Sequence, residues 1–117
     1  MGSVQKLAAN LRNSLNGLLA CWDEHSFRLE VYALVLGVGA VVWLERPLWA
    51  GGLALCSILL VMMAEALNTA IERLCDRITL AQDPQIKVVK DVASAGVFLS
   101  VLIAALAWMW LLFGVPG

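Results

Sequence analysis

One stretch of the chain carries acidic and polar side chains at the spacing of a single helix face. They occupy positions i, i+3, i+4, i+7 and i+11, which share one face of an α-helix. A charge placed deep in a bilayer costs ~2.5–3.5 kcal/mol on insertion scales, so an ionisable group in or near an apolar helix indicates function. The row is therefore a candidate functional site, and its members are Glu65, Asn68, Thr69, Glu72 and Asp76.

Distance gives the two glutamates of this row different roles. At ~1.5 Å of rise per residue, Glu65 and Glu72 lie roughly 10 Å apart along the axis, so one small cation cannot bind both. Glu65, the deeper of the two, is the candidate general base. Glu72 is the candidate Mg²⁺ ligand, because Mg²⁺ takes one or two carboxylates plus phosphate oxygens. Glu24 is the candidate second acid, because it lies on the same side of the membrane.

A lysine near the start of the last apolar stretch completes a set of groups for phosphoryl transfer. Lys90 is followed by Asp91 and Ser94, and a lysine is a suitable point charge for phosphate. A base, two Mg²⁺ ligands and a lysine are the groups that phosphoryl transfer uses. The sequence contains no GxxxxGK[ST] loop and no protein-kinase glycine loop. A nucleotide kinase of this kind would have to bind phosphates with a metal ion and side chains.

The composition predicts that membrane helices position these groups. Of 117 residues, 62 % are hydrophobic and 15 % are charged, whereas soluble domains average roughly 45–50 % and ~25 %. A chain of this length cannot bury so much apolar surface within itself. The net charge is −1, and no basic tail or stripe is present to bind nucleic acid.

The distribution of charges predicts three membrane-spanning helices. A span needs ~20 mainly apolar residues, and charges are absent from residues 31–44, 47–64 and 92–117. Glu45 to Pro47 form a tight turn, and Asp83-Pro84 marks a longer break. The fold predicted is an all-α membrane protein, a single domain of residues 1–117 with spans at about 27–46, 48–75 and 90–113.

An amphipathic helix is predicted before the first span, at about residues 4–22. Apolar residues recur there at helical spacing, from Val4, Leu7 and Leu11 to Trp22, with polar residues between them. Such a helix lies on a membrane surface. Two interpretations stay open: a membrane anchor, or a lid over a site at the interface.

The basic residues predict the orientation. Seven of the eight fall on the side of the N-terminus and the second loop, and only Arg46 falls on the other side. The positive-inside rule therefore places the N-terminus in the cytoplasm. Trp43, Trp49, Trp108 and Trp110 all fall at the opposite interface, as an aromatic belt would.

The acidic row closely resembles a family motif. The string EALNTAIE at residues 65–72, followed by Asp76, matches the E-x-L-N-[ST]-A-I-E-x-x-x-D pattern of the prokaryotic diacylglycerol kinase family. Residues 24–30, EHSFRLE, look like the E-x-A-F-R-x-E string of that family. Lys90-Asp91 and Ser94-Ala95 are similar in order and spacing, and the resemblance covers nearly the whole chain.

The resemblance implies a small integral-membrane lipid kinase that forms a homotrimer with sites shared between subunits. It implies Mg²⁺ as cofactor and ATP as phosphoryl donor, with Glu65 as the catalytic base and Glu24 and Glu72 as metal ligands. The nucleotide-binding residues it implies are Glu24, Asn68, Glu72, Asp76, Lys90 and Asp91. The substrate-binding residues are Glu65, Arg28, Glu30 and Ser94.

The function predicted is ATP- and Mg²⁺-dependent phosphorylation of a lipid hydroxyl, diacylglycerol to phosphatidic acid, at the cytoplasmic face of a bacterial inner membrane. The same chemistry on undecaprenol is the nearest alternative. Two further classes stay open: a channel or transporter whose polar row conducts ions, and an assembly subunit in which Glu65 and Glu72 hold helices in register.

Overall fold

The computed structural model describes residues 2–115, and every regular element among them is helical. It confirms the predicted fold class, with three long apolar helices that follow an N-terminal helix. Residues 1, 116 and 117 of the predicted domain lie outside the described part. The helices are α1 (Ser3–Cys21), α2 (His25–Leu44), α3 (Leu48–Ile78) and α4 (Pro84–Met109), and α4 continues into a π-helical turn at Trp110–Gly114.

The helix ends follow from local chemistry. The second helix stops at Leu44, before the predicted end at residue 46, because Glu45 adopts a left-handed conformation with φ 54°. Pro47 then precedes α3. Proline has no backbone N–H, but the N–H groups at the start of a helix have no acceptor within the helix, so no hydrogen bond is lost. The fourth helix begins at Pro84, ahead of the predicted span. There the Asp83 carboxylate accepts hydrogen bonds from the backbone N–H groups of Gln85 and Ile86, at 2.9 and 3.2 Å.

Helix α3 is the central element. It packs against α4 and α2, and its first turns hold the buried core residues Ala50 and Ala54. Leu111 and Val115, from the end of the chain, pack on them. At Gly51 the side chain of Val41 on α2 lies so close to the backbone of α3 that a Cβ atom would be 2.5 Å from Val41 Cγ1. We call this end of the bundle, around residues 45–47, the turn end.

An arginine joins the α2–α3 turn to the end of α4. Arg46 Nε donates to the carbonyl oxygen of Leu111 at 3.2 Å, and Nη2 donates to that of Leu112 at 3.4 Å. The last carbonyls of a helix have no intrahelical partner, so a guanidinium that donates to them satisfies groups that water would otherwise have to reach. The contact ties the end of the last helix to the α2–α3 turn.

Most large apolar side chains point outward, as in a protein whose solvent is lipid. All three long helices are apolar enough to cross a membrane, and Leu36, Leu53 and Leu106 are among their exposed residues. The apolar face of α1 is exposed as well. With 31 residues, α3 is about 46 Å long, longer than the ~30 Å hydrocarbon core of a bilayer.

Candidate functional site

The end of the bundle opposite the turn end carries most of the charged residues. The α1–α2 junction, the end of α3 and the start of α4 meet here. We call this region the polar end and define it by Glu24, Glu72, Arg73, Asp76 and Lys90. Three of them lie on α3, and Glu24 and Lys90 come from the α1–α2 junction and from α4, so the packing of the helices brings the three places together.

The junction between α1 and α2 is an ordered elbow. Arg28 Nη1 donates to the carbonyl oxygen of Trp22 at 2.9 Å, and the indole of Trp22 packs edge-on against Tyr32 with ring centroids 6.2 Å apart. Cys21 and Phe27 are buried beneath it. Glu24 is the residue that precedes α2, and its side chain is half-buried. Arg28, predicted to bind substrate, lies in this elbow.

Arg73 of α3 connects to that elbow. Its Nη2 donates to the carbonyl oxygen of Ala20 at 3.1 Å and lies 3.7 Å from Glu24 Oε1. The predicted metal ligand Glu24 is thereby tied to the helix that carries the other predicted ligand, Glu72. Sequence reasoning assigned Arg73 no role, since no local pattern shows a contact between residues 20 and 73.

Asn68 and Glu72 are paired one turn apart on α3. Asn68 Nδ2 donates to Glu72 Oε1 at 3.1 Å. The Oδ1 atom of Asn68 is buried and accepts no hydrogen bond from any residue in 2–115. A buried acceptor without a donor costs about 1–3 kcal/mol, and such groups are typical of places where a ligand or water binds. Glu72 itself is exposed and open to a metal ion from water.

Glu65 faces a second carboxylate across the bundle. Its carboxyl group lies beside that of Glu30 on α2, close enough for the two to interact. Glu65 is half-buried, and Glu30 Oε2 is buried with no hydrogen-bond partner within the described part of the chain. This pair lies deeper in the apolar bundle than the polar end does. Two acidic residues predicted to contact substrate are thus adjacent.

The start of α4 supplies two ion pairs. Lys90 Nζ lies 2.8 Å from Asp76 Oδ1 and so joins α4 to α3. Lys87 Nζ lies 2.6 Å from Asp91 Oδ2, one turn along the same helix. The predicted phosphate-binding Lys90 therefore lies at the polar end, next to a predicted nucleotide-binding residue. Ser94 is exposed one turn farther into α4.

A groove between α3 and α4 runs from the acidic row toward the apolar surface. Its volume is about 370 Å³, and Asn68 and Ser100 are the polar residues among a largely aliphatic lining. Leu67, Gly96 and Leu99 are part of that lining. The groove therefore offers a fatty chain an apolar surface that ends at a polar side chain.

The carboxylate and amide oxygens at the polar end are of the kind that binds Mg²⁺. Within residues 2–115 no three His, Cys, Asp or Glu side chains are grouped as a metal site. Mg²⁺ does not need such a group, because it is bound by one or two carboxylates together with substrate phosphates and water. Glu24 and Glu72, with the unpaired Asn68 Oδ1 beside Glu72, fit that kind of site.

The fold and the polar end define a class: a small multi-pass membrane protein with acidic and basic side chains gathered at one end. Comparison with known proteins makes the class specific. The model of the prokaryotic diacylglycerol kinase family matches residues 12–112. The chain belongs to this family.

Three relatives support the assignment. A diacylglycerol kinase of Escherichia coli (strain K12) is 36 % identical over 105 residues, which cover 86 % of each chain. A diacylglycerol kinase of Pseudomonas aeruginosa is 32 % identical over 102 residues, 86 % of this chain and 83 % of its own. One of Haemophilus influenzae is 32 % identical over 108 residues, 92 % of each.

Proposed function

We propose that this protein transfers the γ-phosphoryl group of ATP to the hydroxyl of diacylglycerol, giving phosphatidic acid. The observation that carries the proposal is the depth of the two acidic sites. The Glu30–Glu65 pair lies within the apolar bundle, and the polar end lies beyond it toward water. A lipid hydroxyl could thus approach α3 from the bilayer, and a nucleotide could approach the same helix from water.

In the proposed reaction Glu65 accepts the proton of the lipid hydroxyl. The hydroxyl oxygen forms a bond to the γ-phosphorus, the bond from that phosphorus to the β–γ bridging oxygen breaks, and ADP leaves with the electron pair. Glu30, which lies beside Glu65, is the proposed second acidic contact to the substrate. The aliphatic groove between α3 and α4 would accept an acyl chain.

Mg²⁺ is the proposed cofactor, with Glu24 and Glu72 as ligands, and it would offset charge on the phosphates. Asn68, Asp76, Lys90 and Asp91 are the other proposed nucleotide contacts. Lys90 is poised for this role because its present partner is an exposed carboxylate, Asp76. A phosphate can replace such a partner at little cost, since exposed ion pairs contribute only about 0–1 kcal/mol.

The proposed setting is a bacterial inner membrane with the polar end in the cytoplasm. The distribution of basic residues supports this orientation. The proposed assembly is a homotrimer in which neighbouring subunits complete each site. The exposure of most apolar residues on α2 and α4 leaves ample surface for helices of other subunits.

The test is a phosphorylation assay in mixed micelles with Mg²⁺ and ATP. Diacylglycerol and undecaprenol are offered separately, and Glu65→Gln serves as the blank. We expect transfer to diacylglycerol that is lost in the variant. Preference for undecaprenol would keep the mechanism and change the substrate. Transfer to neither lipid by well-folded protein would refute the proposal.

A further inference from the structure

The structure assigns a role to Arg73: we infer that it is a positioning residue, which holds the carboxylate of Glu24 against α3, the helix that carries Glu72, so that the two acids can bind one divalent cation. The inference rests on the proposed function, because Glu24 and Glu72 are proposed ligands. Arg73 itself would not touch the metal ion. It would act through the carboxylate that it contacts.

The elbow that carries Glu24 is held to α3 at few points. Helix α1 is exposed along most of its length, whereas Cys21 at its C-terminal end is buried. Arg73 makes its contacts at that place, through the Ala20 carbonyl and the Glu24 carboxylate. It therefore fixes both the backbone of the elbow and the acidic side chain that projects from it.

Glu24 has little else to orient its side chain. It precedes α2 but does not cap it, because its carboxylate accepts no hydrogen bond from the first turn of the helix. Arg73 Nη2 lies 3.7 Å from Glu24 Oε1, so a cation bound by Glu24 would lie close to the guanidinium. Since Mg²⁺ accepts ligand oxygens only at 2.0–2.1 Å, two carboxylates from different helices must be held close to a fixed separation.

The contact between Arg73 and Glu24 is too exposed to contribute much to the stability of the folded protein. The side chains of Arg73 and Glu24 are 49 % and 43 % exposed, and pairs of this kind contribute only about 0.2–1 kcal/mol. A positioning role and a purely electrostatic role of Arg73 then predict opposite changes in metal affinity when Arg73 is replaced. A positive charge beside a metal site repels the cation, so its removal should tighten metal binding. Loss of a positioning contact should weaken it.

The experiment measures metal binding without turnover. Mn²⁺ with the non-hydrolysable nucleotide β,γ-imido-ATP is titrated onto the full-length protein in detergent, and the electron paramagnetic resonance spectrum of Mn²⁺ reports bound metal. We expect Arg73→Gln to weaken binding by a factor of about 1.4 to 5, the range that corresponds to an exposed ion pair. Arg73→Lys, which keeps the charge but lacks the fork that reaches two acceptors, should weaken binding by a smaller factor.

Two further variants complete the test. Arg12→Gln removes an exposed positive charge from α1 and should leave Mn²⁺ binding unchanged, which controls for the general attraction of an anionic nucleotide. Glu24→Gln combined with Arg73→Gln should bind Mn²⁺ no more weakly than Glu24→Gln alone. Independent, additive losses in that pair would overturn the inference.

The outcomes separate the inference from the proposed function. Unchanged or tighter Mn²⁺ binding in Arg73→Gln, with an active wild type, would refute the positioning role alone. Weaker binding in the variant, with a wild type that phosphorylates no lipid, would support the positioning role and refute the proposed function. A wild type that binds no Mn²⁺–nucleotide would refute both. If Arg73→Gln folds poorly, weakened binding in Arg73→Lys decides the matter.

Discussion

Two neighbouring glycines of α3 should respond in opposite ways to the same substitution. A Cβ atom at Gly51 would lie 2.5 Å from Val41 Cγ1, whereas a Cβ atom at Gly52 would have no atom within 4 Å. Carbon atoms pack at ~3.5–4.0 Å, so Gly51→Ala requires α2 and α3 to separate by about 1 Å. Val41 cannot rotate away cheaply, because a valine in a helix strongly prefers one rotamer.

The size of the effect follows from comparing the two variants. Both gain the same helix propensity, about 0.8–1 kcal/mol for Gly to Ala, so the difference between them isolates the steric clash. Inserting a methyl group into a packed contact costs about 1–3 kcal/mol. We therefore expect Gly51→Ala to be less stable than Gly52→Ala by ~1–3 kcal/mol. The measurement is the free energy of unfolding from a titration with sodium dodecyl sulfate in mixed micelles.

A compensating substitution checks the cause. Val41→Ala removes the methyl group that the new Cβ would meet, so adding it to Gly51→Ala should recover much of the lost stability. Equal stability of Gly51→Ala and Gly52→Ala would show that α2 and α3 are not in close contact at this point. Failure of Val41→Ala to rescue would place the clash elsewhere.

Four further predictions concern Glu65, two residues of the polar end and the arginine at the turn end. Glu65→Gln should lower turnover about 10²- to 10⁴-fold, the contribution of a general base. Glu72→Gln should raise the KM for Mg²⁺, and removal of Mg²⁺ with a chelator should abolish activity until Mg²⁺ is restored. Lys90→Met should raise the KM for ATP by at least about tenfold, as for a hydrogen bond to a charged group. Arg46→Leu should lower the free energy of unfolding by about 1–3 kcal/mol and leave turnover per folded molecule unchanged.

Three of these predictions have a control of their own. Far-ultraviolet circular dichroism must show wild-type helix content in Glu65→Gln, and more than a few per cent residual activity would contradict its role as base. The KM for diacylglycerol should change little in Lys90→Met, so an equal rise in both KM values would argue against a nucleotide contact. Wild-type stability in Arg46→Leu would mean that its two hydrogen bonds merely replace bonds to water.

The helices could be predicted from the sequence because their signals are local. Stretches without charge and the Asp83-Pro84 pair identify the long helices from neighbouring residues alone. The end of α2 was harder to predict, because Glu45 adopts a left-handed conformation that glycine favours and glutamate rarely takes. The residue types at this turn therefore do not predict where α2 ends.

The site could be predicted only as a set of residue types on faces. The spacing from Glu65 to Asp76 indicates one polar face, and Lys87 and Asp91, one turn apart, could have been paired in advance. The contact between Arg73 and the elbow joins residues 53 positions apart, and that between Arg46 and Leu111 joins residues 65 positions apart. Both depend on how the helices pack, which periodicity within one helix does not reveal.

The length of α3 makes the depth of the acidic pair a property that the surrounding lipid can change. Glu65 lies about 26 Å along the helix axis from Leu48, close to the far edge of a hydrocarbon layer ~30 Å thick. In a thinner bilayer the same helix must tilt or locally thicken the lipid around it, and in a thicker bilayer the lipid around it must thin. The level at which a diglyceride hydroxyl meets Glu65 would shift accordingly, so hydrophobic mismatch would tune the encounter between substrate and carboxylate.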